Sequence, residues 1–372
     1  MEATELDRDK IATKRLGVVD CDIHPAFENP QELGKYLPQR WRDHIRDYAL
    51  HTPNPFLGAM TYPRMTPGNG MRRDSWPPSG KPPASDLGFL CEQLLDQCNI
   101  DHGVLQPLAA GAVTNNQDLG AALCVGINDW QIDKFAGPEP RLRASIIVPP
   151  QNPDYAAAEI DRLAEDKRFV QVMLLVMDEM PLGRRRYWPI YRAAERHGLP
   201  VGIHAGSSYR HAVTTVGWPT YYSEDSAAQA QAFQSALTSL MTEGVFAEFP
   251  DLKVVLLESG FAWLPAHLWR LGKFWRGLRM EIPWVDRHPL EIAKDHIRLT
   301  IQPRDLPEDP AVFERLMNHF DSDEMLLFST DYPHWQFDGD DALPAGISPA
   351  LAEKICRDNP LAAYPRLKEA VA

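Results

Sequence analysis

A short run of apolar, β-branched residues recurs eight times in this chain, usually with an amphipathic stretch before the next, and this pattern constrains the fold most. The runs are GVVDCDIHP (17–25), HGVLQPLA (102–109), RLRASIIVPP (141–150), FVQVMLLV (169–176), LPVGIHAG (199–206), LKVVLLESG (252–260), IRLTIQP (297–303) and MLLFSTDYP (325–333). Continuous rather than alternating apolar character marks strands covered on both faces, which requires a parallel sheet with crossover helices. The segments between supply them. NPDYAAAEIDRLAED (152–166) opens on an Asn/Asp cap, YWPIYRAAERHG (187–198) ends on Gly, and ASDLGFLCEQLLDQCN (84–99) is a third helix. Eight strands alternating with helices over 372 residues predict an α/β fold of the (β/α)8 barrel type. A doubly wound open sheet competes, but no GxGxxG loop follows any strand.

Two segments break the alternation. Residues 50–84 are dense in Pro and Gly, and residues 207–245 are aromatic at first and helical later. Structureless stretches of that length in a compact fold are usually functional. Both are expected to act as a lid on one metal-dependent barrel domain spanning 1–372, the first through Phe56, Tyr62, Arg72, Arg73 and Trp76. A net charge of −13 with no basic stripe argues against a nucleic-acid partner. No run approaches the roughly 18 apolar residues of a membrane helix. The charged N-terminus lacks an apolar leader segment, so a cytoplasmic location is expected. Five cysteines without a CxxC pair fit reduced thiols and argue against a thiolate zinc site.

Chemistry in such a barrel gathers at the carboxyl ends of the strands. GVVDCDIHPA (17–26) places Asp20, Asp22 and His24 at alternate positions, hence on one strand face. Strand five ends in His204, strand six in Glu258, strand seven in Gln302, and strand eight in Asp331 with His334 just beyond. Strands two to four end in Gln106, Pro149 and Val176, which bind metals poorly. Each polar tip has a plain structural alternative: His204 as a helix cap, Glu258 as an arginine partner, Asp331 as the start of a turn before Pro333. Four strand ends carrying His, Asp or Glu at one rim make coordination the economical explanation, because such groups seldom stay buried without partners.

The order Asp-x-His on strand one, His on strand five and STDYPHW (329–335) on strand eight resembles the amidohydrolase-related metal enzymes, in the branch of aminocarboxymuconate-semialdehyde and resorcylate-type decarboxylases. That resemblance covers about residues 17–360 and implies a TIM barrel with a divalent metal on Asp22, His24, His204 and Asp331. One departure stands out. The family's strand-six histidine, used as acid or base, is replaced by Glu258 in LLESGFAWLPAHLWR (256–270), and His267 lies on the following helix.

With Glu258, the stretches GWPTYYSED (217–225) and STDYPHW also resemble the TIM-barrel non-haem di-iron monooxygenases of the platensimycin-pathway type. That resemblance implies two irons on Asp22, His24, His204, Glu258, Asp331 and His334, with Glu224 and Gln302 as further candidates. It makes Glu258, Asp331 and His334 the catalytic groups. The expectation is an oxidoreductase that uses dioxygen and an electron donor to hydroxylate a C–H bond of a bulky, mostly apolar substrate, carboxylate- or CoA-linked. Trp218, Tyr221, Tyr222, Trp263 and Trp335 would wall its pocket and Arg184 would meet its anionic end. The alternative is an amidohydrolase-type hydrolase or lyase (decarboxylase) acting on a carboxylated small molecule, with zinc or manganese in place of iron. Related barrels often pair, so a homodimer is also expected.

Overall fold

The structure, a computed structural model, describes residues 17–29, 31–49, 70–108, 114–207, 211–337 and 342–369. Eight strands form one sheet in chain order: β1 (Val18–Ile23), β2 (Ile100–Leu105), β3 (Leu142–Ile147), β4 (Phe169–Met177), β5 (Val201–Ser207), β6 (Val254–Leu257), β7 (Ile297–Thr300) and β8 (Leu326–Leu327). Every neighbouring pair from β1 to β8 is parallel. The ring closes between β8 and β1, where Cys21 N donates to the Phe328 carbonyl (3.0 Å) and His24 N to the Tyr332 carbonyl (2.8 Å). This is the (β/α)8 barrel that the apolar runs predict.

The helices are α1 (Gln39–Tyr48), α2 (Leu87–Leu90), α3 (Gln117–Gln131), α4 (Pro153–Leu163), α5 (Trp188–Arg196), α6 (Tyr222–Thr242), α7 (Val245–Glu248), α8 (Leu264–Leu278), α9 (Pro289–His296), α10 (Pro310–Phe320), α11 (Pro349–Glu353) and α12 (Asn359–Ala363). Local sequence explains their starts. Asn152 accepts from Tyr155 N (3.2 Å) with Pro153 in the first turn of α4, and Asn116 caps α3 through Leu119 N (3.0 Å). Among the described residues no helix is long and apolar enough to cross a membrane.

Val19, Cys21, Val104, Val170, Val255, Leu257 and Leu327 form one buried cluster with Ala363, Tyr364 and Leu367. Side chains from β1, β2, β4, β6 and β8 can meet only inside the ring, so the C-terminal segment closes one end of it. A larger cluster lies between the sheet and its helices. Several of the strands are shorter than the apolar runs that predict them. After β6 the chain turns aside at Glu258 (φ +54°), and beyond β8 it does so at Asp331 (φ +58°), which builds the rim.

Residues 50–69 of the first expected lid, with Phe56 and Tyr62, lie outside the described residues. Its remainder returns along the segment beyond β8: Met71 bridges His334 in antiparallel fashion, and Arg72 N donates to the Pro333 carbonyl (2.9 Å). Arg72 itself pairs with Asp74 (2.6 Å).

Candidate metal centre

The predicted single face of Asp20, Asp22 and His24 is broken. The pairing of β1 with β2 slips between Asp20 and Ile23. Asp20 turns to the segment after β8, where its carboxylate accepts from Thr330 Oγ1 (2.6 Å) and Thr330 N (3.0 Å). Burial lifts its pKa to about 7 against those bonds. Asp20 therefore ties the site's two flanking segments together, while Asp22 and His24 face the centre.

His24 Nδ1 donates to the Gln106 carbonyl (2.9 Å) and His204 Nδ1 to the Ala205 carbonyl (2.7 Å). A carbonyl only accepts, so each ring carries its hydrogen on Nδ1 and turns Nε2 inward. His24 Nε2 lies 2.9 Å from Asp331 Oδ1 and 3.4 Å from Asp22 Oδ1. His204 Nε2 lies 3.5 Å from Asp22 Oδ1 and 3.6 Å from Glu258 Oε2. His334 Nδ1 approaches Asp331 Oδ1 at 2.7 Å, and its ring lies 4.6 Å from that of His24. Two sets of donor atoms come within 4.8 Å of one another: Asp22, His24 and His204, and His24, Asp331 and His334.

Imidazole lone pairs facing carboxylate oxygens repel unless a positive charge sits between them. Both oxygens of Asp22, Nε2 of His204 and Oδ2 of Asp331 are shielded from solvent and have no hydrogen-bond partner. Without a metal, protons must supply the charge. Burial lowers the pKa of His204, but Asp22 and then Glu258 outweigh it and lift it to about 9. His334 likewise rises to about 9, with Asp331 overcoming burial. Burial and then Asp331 push Glu258 up to about 8. Against the upward push of burial, His334 and His24 hold Asp331 below its ordinary value. The orphaned atoms and the donor chemistry fit a divalent cation held among these side chains.

Glu258 and Asp331 both occupy the left-handed backbone region, which costs a non-glycine residue about 1–3 kcal/mol. Glu258 N donates to Thr300 Oγ1 of β7 (3.0 Å), which helps hold the turn. The Glu258 carboxylate receives Gln336 Nε2 (3.3 Å) and is 19% exposed, whereas Asp22 and Asp331 are fully buried. It is the carboxylate of this group that faces the opening.

The other predicted site residues are dispersed. Glu224 caps α6, accepting from Thr220 N and Tyr221 N (2.7 Å each). Gln302 accepts from Arg304 N (3.1 Å), and its Nε2 is buried without a partner. Trp218, Tyr221, Tyr222 and Trp335 are 47%, 69%, 40% and 59% exposed, so they stand at the surface rather than enclosing an apolar pocket. Trp263 donates to the Ser259 carbonyl (3.0 Å) beside β6. Arg184 pairs with Glu243 (3.2 Å) and, with His267, lines a separate depression between α6 and α8.

Sequence reasoning missed the supporting groups: the Gln106 and Ala205 carbonyls, Thr300, Thr330 and Gln336. Backbone acceptors leave no residue signature, although Thr330 was readable as the neighbour of Asp331. Asp178, one residue past β4, is a further buried carboxylate, engaged by the Tyr187 hydroxyl (2.6 Å).

The profile of the family described as Amidohydrolase matches residues 19–366. Gamma-resorcylate decarboxylase of Rhodococcus jostii (strain RHA1) is 27% identical over 214 residues, 54% of this chain and 62% of that protein. The chain thus aligns with less than two thirds of that relative. The solved 5-carboxyvanillate decarboxylase of Novosphingobium aromaticivorans, complexed with manganese and 4-hydroxy-3-methoxy-5-nitrobenzoic acid, superposes with a TM-score of 0.70 at 17% identity, covering 95% of this chain and 97% of that one. The dihydroxybenzoic acid decarboxylase of Polaromonas sp. JS666, with manganese and the inhibitor 2-nitroresorcinol, gives 0.63 at 19% identity, covering 95% and 98%. At these identities the likeness shows the fold.

These comparisons overturn the expected oxygen-dependent hydroxylase. The relatives are decarboxylases of hydroxybenzoates, and none points to a di-iron monooxygenase, to iron, or to dioxygen and an electron donor as partners. The physical reason for the misreading is that mixed imidazole and carboxylate ligands suit manganese as well as iron.

Proposed function

The chain belongs to the amidohydrolase family, and from that premise we propose that it is a divalent-metal-dependent decarboxylase of a hydroxylated aromatic acid. The observation that carries this is the convergence of buried, unpartnered donor atoms of Asp22, His204 and Asp331 beside His24. The hydroxybenzoate decarboxylases among its relatives supply the reaction class.

Asp22, His24, His204 and Asp331 would hold the ion. Once bound, it would supply Lewis-acid polarisation of the oxygens of an ortho-hydroxy carboxylate. The remaining chemistry is proton handling. In the net reaction the ring carbon gains a proton, the bond to the carboxyl carbon breaks, its electron pair returns to the ring, and CO₂ leaves. The proton source must sit at the opening. Glu258 lies at that opening, and burial favours its protonated form. Among the described residues no lysine or arginine pairs with Asp22, Glu258 or Asp331. Protonated His334 therefore offers the positive charge that an incoming carboxylate needs.

Manganese-loaded protein tested against 2,6-dihydroxybenzoate, 5-carboxyvanillate and related ortho-hydroxybenzoates should release CO₂ equally in air and under nitrogen. Activity should vanish on chelation and return with manganese. Turnover that needs oxygen, or no CO₂ from any ortho-hydroxybenzoate, overturns the reading.

A further inference from the structure

At the amino-terminal end of the barrel, opposite the metal centre, α7, the loop after α8, α9 and the starts of β6 and β7 surround a cavity of about 570 Å³. That volume is within the usual span for small-molecule sites, about 300–1,000 Å³. Its deep charges are cationic. Lys253, just before β6, is half-buried, and Arg298, in β7, is only 8% exposed. Lys253 Nζ donates to the Asp295 carbonyl (2.6 Å), and Arg298 Nη1 to the carbonyls of Lys294 and Ile297 (2.8 Å each).

Among the described residues no carboxylate lies within 4.0 Å of either cation. The acids around the cavity, Asp286, Asp295 and Glu324, are all exposed, and Asp295 pairs with Arg287. Burial lowers the pKa of both cations and the Arg298 charge lowers Lys253 further, while the more distant charges of Asp295 and Glu324 only partly offset this for either one. Two neighbouring cations withdrawn from water are unfavourable until an anion joins them.

The apolar wall is held in place. Trp284 Nε1 donates to the Thr242 carbonyl (2.8 Å), and the indole packs over Gly244 so closely that a Cβ there would lie 2.6 Å from Trp284 Cδ1. Although fixed in this way, Trp284 remains 42% exposed. Beside it Phe246 stacks on His296 (4.6 Å, 24°). His296 Nδ1 donates to the Leu252 carbonyl (2.8 Å), which leaves Nε2 as an acceptor.

We propose that this cavity is a second binding site, for a planar aromatic or heteroaromatic anion whose carboxylate or phosphate meets Lys253 and Arg298 and whose ring lies against Trp284. The site uses no residue of the metal centre. It stands or falls separately from the decarboxylase reading.

The test is calorimetric titration of the manganese-loaded full chain with benzoate, AMP and inorganic phosphate, in wild type, Lys253→Met, Lys253→Arg and Trp284→Ala, each repeated after chelation, where binding at the metal centre is lost and only the heat that persists is assigned to this cavity. Benzoate or AMP should bind wild type and Lys253→Arg, and bind Lys253→Met and Trp284→Ala at least ~10-fold more weakly. Manganese content and melting temperature should stay unchanged across the set. Preference for benzoate identifies a carboxylate ligand, and preference for AMP a phosphate one. Equal affinity in wild type, Lys253→Met and Trp284→Ala removes the site. Inorganic phosphate binding as tightly as both organic probes removes the role of Trp284.

Discussion

Glu258 combines a strained backbone, partial exposure and a raised pKa. These properties separate in mutants. Glu258→Gly relieves the left-handed strain that Glu258→Ala keeps, so the glycine variant should be more stable by about 1 kcal/mol in denaturant unfolding. Both should be inactive. Glu258→Gln should retain its manganese and lose about 100-fold or more in kcat, the usual scale for a proton-transfer group. Equal kcat in Glu258→Gln and wild type would remove Glu258 from the proton path. Asp22→Ala and His204→Ala should instead lose metal, read by elemental analysis of the purified variants.

At the scale of elements, the site depends on how β8 meets β1. The β8 strand is two residues long, and the segment beyond it is tied to β1 by Asp20 and Thr330. Thr330→Val removes one donor to a fully buried carboxylate and should cost about 1–3 kcal/mol. It should also weaken manganese binding, because Asp331 is the next residue. Thr330→Ser should restore both, and a Thr330→Val protein with wild-type stability and manganese affinity would show that this tie is incidental. The α4 cap is a control remote from the chemistry: Asn152→Ala should cost about 1 kcal/mol and leave activity intact.

For the whole molecule, the metal and the fold are coupled. Without a cation, the inward-facing carboxylates hold His204 and His334 protonated up to about pH 9. Metal binding must displace the proton of His204, which is one of the proposed ligands, so the metal-free protein binds more protons than the loaded one, and manganese affinity should rise from about pH 6 towards pH 9. Titrations in buffers of different ionisation enthalpy would read the released protons, and a pH-independent affinity would contradict this account. Chelation should lower the melting temperature, since ligand at 100 times its Kd contributes about 2.7 kcal/mol. The sequence alone determined the eight-stranded barrel and which strand tips carry ligand-type residues, because burial on both faces leaves its mark on every residue of a strand. Tertiary structure decided the rest: that Asp20 leaves the centre for Thr330, that Glu224 caps a helix, that Arg184 joins Glu243, and that Asp22, His24, His204 and Asp331 converge. Convergence depends on distances between segments far apart in the chain, and residue identity at one position carries no information about those distances.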